Sequence, residues 1–326
     1  MASIKDVAKQ AGVSPSAVSK YFKTPELMRD STKKRIAAAV KVLDYYPSHI
    51  AKSLRSGRSG VIAIALPSIT NPYFTDIFAQ FHKLSTKYGF VPVAIETDYG
   101  RNLQQDIELL RSGLFDGVLF YNTGETGNLF SAPNLDIPMV YLGPAADSNT
   151  RSYVSVDLRA GMLELCAHLT SIGVKRLGYI GNDDESSVHK LDAINVFCAG
   201  EALTLDSDFT SMDADSYNKG YKCCEHFIKS GGKLPDAILT SSDMVAVGVY
   251  KCLEENGYRV PEDVKLSGYD NTDISKLYSP AITTIHIPVK ELCEGAFNML
   301  YSLINSEEPK VSETCFDTKL IVRETT

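Results

Sequence analysis

Asp270 stands directly after the apolar run VKLSGY. An ionised carboxylate in a cleft can accept two hydroxyl hydrogen bonds, chemistry that suits a sugar or a nucleoside. In open α/β sheets, ligands lie beyond the carboxyl ends of the strands, so polar and aromatic residues just after apolar runs are the candidates. Asn71, Tyr73 and Phe74 follow the first run, VIAIAL. Lys190 follows the run ending at Gly181, and Ser242 and Asp243 follow DAILT. Tyr73 or Phe74 could stack on the face of a ring. The competing reading of Asp270-Asn271-Thr272 is an ordinary helix-capping aspartate.

Enzyme chemistry has little to stand on. GxGxxG after a strand, GxxxxGK[ST], HExxH and GxSxG are all missing. Cys224-Glu225-His226 and Cys166-Ala167-His168 are close pairs at helical positions and read as coincidence, so neither a metal nor a cofactor is expected. The seven cysteines form an odd set without CxxC spacing, which argues for reduced, mostly buried thiols. The chain holds no run of eighteen apolar residues and opens on the polar stretch MASIKDVAKQ, so no membrane is expected and the cytoplasm is the expected location.

Two kinds of element must position these residues. From Val61 onward, apolar runs (VIAIAL, FVPVAI, GVLFY, PMVYL) alternate with amphipathic stretches, and the pattern repeats after Asp157 with RLGYIG, DAILT and VKLSGY. Buried strands alternating with helices mean parallel sheets wrapped by helices, and two such series mean two similar lobes with a cleft between them. The first sixty residues differ. They carry twelve Lys or Arg against four Asp or Glu, a net of +8, while the whole chain sums to -7, so the remainder carries -15. A basic head and an acidic body meet different partners, and the head suits phosphate.

The head reads as three helices. Ser3-Ile4-Lys5-Asp6 has the form of a capping box that opens a helix over about 4–11. Gly12 permits a tight turn, Ser14 can cap a second helix, and Pro15 sits at its first position, where a missing N–H costs nothing. Val7, Ala8, Ala11, Val13 and Val18 supply small apolar faces, and a third helix from near Ser31 adds Ile36, Val40 and Leu43. Tyr45-Tyr46-Pro47 stops it. Two short helices around Gly-Val-Ser make a helix-turn-helix candidate.

The stretches IKDVAKQAGVSPSAVSKYF and STKKRIAAAVKVLDYYPSHIAKSLRSGRSGVIAIALP, with SITNPYF, SSDMVAVG, VPEDVKLSGYDN, SPAITTIHIP and LIVRETT, resemble the LacI-type (lactose/galactose repressor) family of bacterial transcription regulators over the full length. The resemblance implies a helix-turn-helix head over 1–47, a hinge helix and linker over 48–60, and a two-lobed, periplasmic-binding-protein-like α/β body over 61–326. Lobe crossings are expected near Asp157, Ile287 and Phe316. It implies a pseudo-palindromic double-stranded DNA operator bound by a homodimer, with a tetramer left open, and a carbohydrate-like effector in the cleft that changes lobe rotation and operator affinity. Repression is the family habit. Activation, dual regulation and a catabolite-type regulator with a phosphocarrier co-repressor stay open.

Carried over residue by residue, the DNA contacts fall on Ser3, Ser14, Pro15, Ser16, Ser19, Lys20 and Tyr21. The second helix enters the major groove, where Lys20 could donate to guanine O6 and N7. A phosphate contact is the alternative for Lys20. Phe22 reads as core and Tyr21 as able to reach a phosphate. In the hinge, Leu54 matches the leucine that wedges between central base pairs, Ala51 gives the small face on which two hinge helices meet, and Arg55 flanks them. The chain departs from the family pattern where Lys190 replaces Arg, Ser242 replaces Asn, and Asp215 occupies a position often aromatic. Those changes put the effector's identity in doubt.

Overall fold

The computed structural model describes residues 2–46, 57–97, 103–121, 137–143, 152–200, 203–305 and 312–326. The expected hinge helix, with Ala51, Leu54 and Arg55, lies outside the described residues. The chain divides into two units, Met1–Gly60 and Val61–Thr326.

In the head, α1 (Ile4–Ala11) opens on the expected capping box: Ser3 N–H donates to Asp6 Oδ2 at 2.8 Å, and Asp6 N–H to Ser3 Oγ at 3.3 Å. Gly12, at φ 58°, ends it in the left-handed conformation that glycine adopts without a steric penalty. Ser14 caps α2 (Pro15–Lys23) by accepting from Ala17 N–H at 3.2 Å, with Pro15 at the first helical position. α3 (Asp30–Val42) donates Arg35 Nη2 to Gly12 O at 2.8 Å, pinning the α1–α2 turn from behind. Val7, Ala8, Ala11, Val18, Ile36 and Ala39 form the buried core. Two aromatic expectations trade places here. Phe22 is 39% exposed, edged by Tyr21 and Tyr45, whereas Tyr21 packs on the core. Tyr21 and Phe22 lie three and four residues after buried Val18, so the spacing of α2 admits either, and Tyr21 takes the place against the core that Ile36 and Ala39 of α3 complete, leaving Phe22 on the flank.

The body begins with β1 (Val61–Leu66), α4 (Pro72–Lys87), β2 (Val91–Glu96), α5 (Leu103–Arg111), β3 (Gly117–Tyr121), β4 (Met139–Leu142) and β5 (Ser152–Asp157). With β11 (Glu313–Asp317) these strands form a six-stranded parallel sheet in the order β11-β5-β4-β3-β1-β2. The second lobe holds α6 (Leu158–Ser171), β6 (Arg176–Ile180), α7 (Glu185–Gly200), β7 (Thr204–Ser211), α8 (Tyr217–Lys229), β8 (Ala237–Thr240), α9 (Asp243–Glu255), β9 (Lys265–Ser267) and α10 (Asp273–Leu277). Its parallel sheet runs β7-β6-β8-β9. β10 (Thr284–His286) pairs antiparallel with β12 (Lys319–Ile321), and α11 (Val289–Asn305) packs on β3, β4 and β5 of the first sheet. The near-continuous burial of β1, β3 and β8 is what a two-face-covered parallel sheet requires.

Among the described residues the chain passes between the lobes three times, from β5 to α6 at Asp157, from β10 to α11 around Ile287, and from β11 to β12 at Thr318. The first and third passages are tied: Thr318 Oγ1 donates to Asp157 O at 2.7 Å and accepts from Gly161 N–H at 2.9 Å. A Cβ at Gly161 would overlap Ile285 Cγ2 and come within 2.8 Å of Thr318 Oγ1, so the crossings pack too closely there for any side chain. All seven cysteines are free thiols, and Cys166, Cys224, Cys252 and Cys293 are buried. No described helix is long and apolar enough to cross a membrane, and no metal-ligand cluster occurs among the described residues.

Candidate functional site

Two surfaces are candidates, one in each unit. In the head, α2 exposes Ser14, Pro15, Ser16 and Lys20, and Ser16 and Lys20 are one turn apart on one face. Ser14 Oγ lies 2.8 Å from Ser16 Oγ, so the capping hydroxyl also orients its neighbour. Ser19 and Tyr21 are half-buried, and exposed Ser3 is held by Asp6. Thus α2 offers a cationic and hydroxyl-bearing ridge on a helix whose opposite face is core.

In the body, the sequence candidates at the carboxyl ends of the strands fall into two groups, one on each lobe. Asn71 caps α4, its Oδ1 accepting from Tyr73 N–H at 3.0 Å, and so fixes the first helical turn. That turn carries Tyr73 and Phe74, whose rings meet each other at 5.3 Å and meet Tyr121, the last residue of β3, at 6.0 and 4.9 Å. Burial raises the Tyr73 phenol well above its ordinary range, reinforced by Tyr121 and by the carboxylate of Asp270 on the other lobe.

On the second lobe, Lys190 is 5% exposed, donates Nζ to Ser241 O at 2.8 Å and lies 3.9 Å above the ring of Tyr269. An ammonium that close to an aromatic face gains from the ring quadrupole. Burial pulls the Lys190 ammonium below its usual value, and the charges of Asp270, Asp184 and Asp243 pull it back up. Asp270 is 8% exposed; burial pushes its carboxyl well above the usual carboxylate range, and Lys190 opposes that shift. Each is the other's compensation for lost hydration. Tyr269 donates its hydroxyl to Leu158 O at 3.3 Å, at the first lobe crossing.

Asp243 has a different place from the one the sequence suggested. It is fully buried, and its carboxylate accepts from Thr272 N–H at 2.7 Å, Thr272 Oγ1 at 2.8 Å and Thr284 Oγ1 at 2.6 Å. Burial, partly offset by those donors, pushes it up to about 6. With its oxygens committed inward, Asp243 braces the Asp270 turn from below. Ser242 caps α9 by accepting from Val245 N–H at 3.3 Å. Asp215 is paired with Lys219 Nζ at 2.7 Å, a half-exposed i,i+4 contact. Sequence reasoning passed over Tyr121, Tyr269 and Asp184. Tyr121 and Tyr269 close or follow apolar runs, so the strand-end rule applied to every run finds both.

Comparison with known proteins places this arrangement. Residues 3–48 match the model for bacterial regulatory proteins of the lacI family, and residues 166–326 match that for the periplasmic binding protein-like domain. The chain carries a lacI-family helix-turn-helix domain and a periplasmic-binding-protein-like domain. It is a DNA-binding transcriptional regulator with a helix-turn-helix head and a ligand-binding body. An HTH-type transcriptional regulator, RegA, from Clostridium saccharobutylicum is 26% identical over 99% of both chains. An HTH-type transcriptional repressor, PurR, from Haemophilus influenzae is 29% identical over 96% of this chain and 94% of its own. Among solved structures, the lac repressor dimer bound to operator and the anti-inducer ONPF superposes with a TM-score of 0.84 at 21% identity, covering 99% and 98% of the two chains. A transcriptional regulator CelR–cellobiose complex gives 0.75 at 22% over the whole of both chains.

Proposed function

We propose that this protein is a cytoplasmic repressor that binds a pseudo-palindromic operator as a homodimer and releases or tightens its hold when a small neutral polyhydroxylated molecule enters the inter-lobe cleft. One observation carries the ligand reading: buried Lys190, 3.9 Å over the Tyr269 ring, and buried Asp270 lie at the strand ends of one lobe, and the Tyr73, Phe74 and Tyr121 cluster lies at those of the other. The aromatic faces suit a ring's C–H surface, and Asp270 and Lys190 supply an acceptor and a donor for hydroxyls. A site whose cation is already matched by carboxylates favours an uncharged ligand over a sugar phosphate, which would need an unmatched cation or a bidentate Arg fork. Lobe closure around the ligand then alters operator affinity, a coupling that needs two states and two sites.

In the head, Lys20 reads a base edge from the exposed ridge of α2, Pro15 and Ser16 contact neighbouring bases, and Ser3, Ser14, Ser19 and Tyr21 help seat the helix on the backbone. In the hinge, Leu54 wedges the minor groove, with Ala51 and Arg55 beside it. Selection from random oligonucleotides followed by gel shift tests this half: Lys20→Ala relaxes preference at one position per half-site, with a loss of about 1–3 kcal/mol of discrimination. Uniform weakening across sequences reassigns Lys20 to phosphate. A thermal-shift screen of the full chain against neutral sugars, sugar phosphates and nucleosides tests the other half. A ligand at a hundredfold its dissociation constant stabilises by about 2.7 kcal/mol. Asp270→Ala removes that stabilisation and the ligand's effect on operator binding; a variant that responds like the parent rejects the assignment.

A further inference from the structure

The turn that carries Asp270 has a backbone that side-chain-bearing residues rarely adopt. Asp270 has φ 104° and Asn271 φ 56°, two consecutive left-handed residues without glycine. Such conformations are strained and persist where the surroundings over-determine them. The surroundings here are specific. Asp270 N–H donates to Ile285 O at 2.9 Å, Asn271 N–H to Thr284 Oγ1 at 3.2 Å, and Asn271 Nδ2 to His286 Nδ1 at 3.1 Å. Thr272 is held by Asp243 through both its N–H and its hydroxyl. The remaining tie comes from the far end of the chain. Arg323, two residues past β12, donates Nη2 to Asn271 Oδ1, and Nη1 to Ser275 Oγ at 3.1 Å and Ile282 O at 2.7 Å. Its own backbone is fixed as Arg323 N–H donates to Thr283 Oγ1 at 2.9 Å.

We propose that Arg323 is a positioning residue for Asp270: by gripping Asn271 it holds the left-handed turn that keeps the Asp270 carboxyl buried at the end of its strand. The planar guanidinium reaches three acceptors on separate segments at once, which a lysine ammonium on a flexible stem does not reproduce. Asn271 is the link because its Oδ1 takes the guanidinium while its Nδ2 holds His286, so both ends of the amide are committed. The proposal rests on the reading of Asp270 as the ligand-contacting carboxylate of the cleft, since only that role gives its exact placement a purpose.

Carboxyl-13C NMR of the full chain, labelled at aspartate Cγ, reads the Asp270 titration with no ligand present, and Asp270→Asn identifies its resonance. The charges acting on Asp270 in the parent are those of Lys190, Asp243 and Asp184. Arg323→Met and Asn271→Gly are each expected to lower the Asp270 midpoint by about one pH unit or more, as the carboxyl swings toward water. Asn271→Gly keeps the backbone freedom and deletes the link alone, so it carries the test if Arg323→Met fails to fold. The double variant is expected to shift no further than the larger single change. An unmoved midpoint in folded Asn271→Gly, or single shifts that add in the double variant, overturns the proposal. Because no ligand is used, that outcome is separate from the response of Asp270→Ala in the ligand screen.

Discussion

In the head, the first two helices take their boundaries from residues at most four positions away: Ser3 with Asp6, Gly12 with Ala8 and Lys9, Ser14 with Ala17. In the body, the turn bearing Asp270 is held by Asp243 and Thr284 on either side and by Arg323, 52 residues beyond Asn271, and the lobe crossings are tied by Thr318 to Asp157 and Gly161, about 160 residues apart. A groove-reading ridge can be built from local capping because DNA supplies the complementary shape. A pocket must supply its own shape, and its polar groups survive burial only when distant segments meet them. The two units are therefore expected to fail differently.

The largest effect is expected at Asp243. Asp243→Ala strands Thr272 N–H and the hydroxyls of Thr272 and Thr284 in a fully buried place, and such orphaned donors cost about 1–3 kcal/mol each. Urea unfolding of the full chain should show the body's midpoint falling while that of the head stays where it was. A body that unfolds within a few tenths of a kcal/mol of the parent breaks the contrast, because the long-range network would then not be what holds it.

Gly161→Ala comes next. The added methyl meets Ile285 and Thr318 where the crossings converge, and overpacking of this kind costs about 1–3 kcal/mol. It also stiffens or displaces the passage between the lobes. The expected signature is a change in ligand response larger than the change in operator affinity without ligand. Equal loss in both measurements points to simple destabilisation and removes Gly161 from the moving part.

The same contrast explains what the sequence discloses. Capping residues, Gly12 and Pro15 act on their own neighbours, so the head's helices are readable one motif at a time. Strands buried on both faces announce themselves as VIAIAL or GVLFY, which locates the lobes and crossings. β7, TLDSDFTS, is an edge strand with polar residues on its exposed positions and a register shift opposite Leu177 and Tyr179, so no apolar run marks it. β10 and β12 are three residues each and exist because the crossings bring them together. Asp243 looks like any acidic residue in a first helical turn; Thr272 and Thr284, 29 and 41 residues later, are what bury it. Tyr21 and Phe22 are adjacent aromatics, and which one turns inward depends on α3, not on α2 alone.

A smaller effect is expected at Ser14. Ser14→Ala removes the α2 cap and the contact to Ser16 Oγ, costing about 1 kcal/mol of head stability. Ser14→Gly should cost only a few tenths. Both variants leave the body's unfolding midpoint unchanged, which is the local counterpart of the Asp243 result. If Ser14→Ala also shifts the body, the two units are not independent in stability.

The smallest expected effect is a pH dependence confined to α1. Asp6 is held below the usual carboxylate value first by the Ser3 N–H and then by the Ser3 hydroxyl. A carboxyl whose value is lower folded than unfolded contributes stability that is complete above the unfolded value and is lost as pH falls through the folded one. The capping box should therefore be intact above about pH 5 and fade below the unfolded value of about 3.8. Amide exchange in α1 of the full chain, compared between the parent and Asp6→Asn, checks this. The gap in protection is expected to stay constant above about pH 5 and to close toward pH 3 and below. A gap that persists unchanged in acid means that the cap depends on shape and not on the charge of Asp6, and it would move the head's local code from electrostatics to geometry.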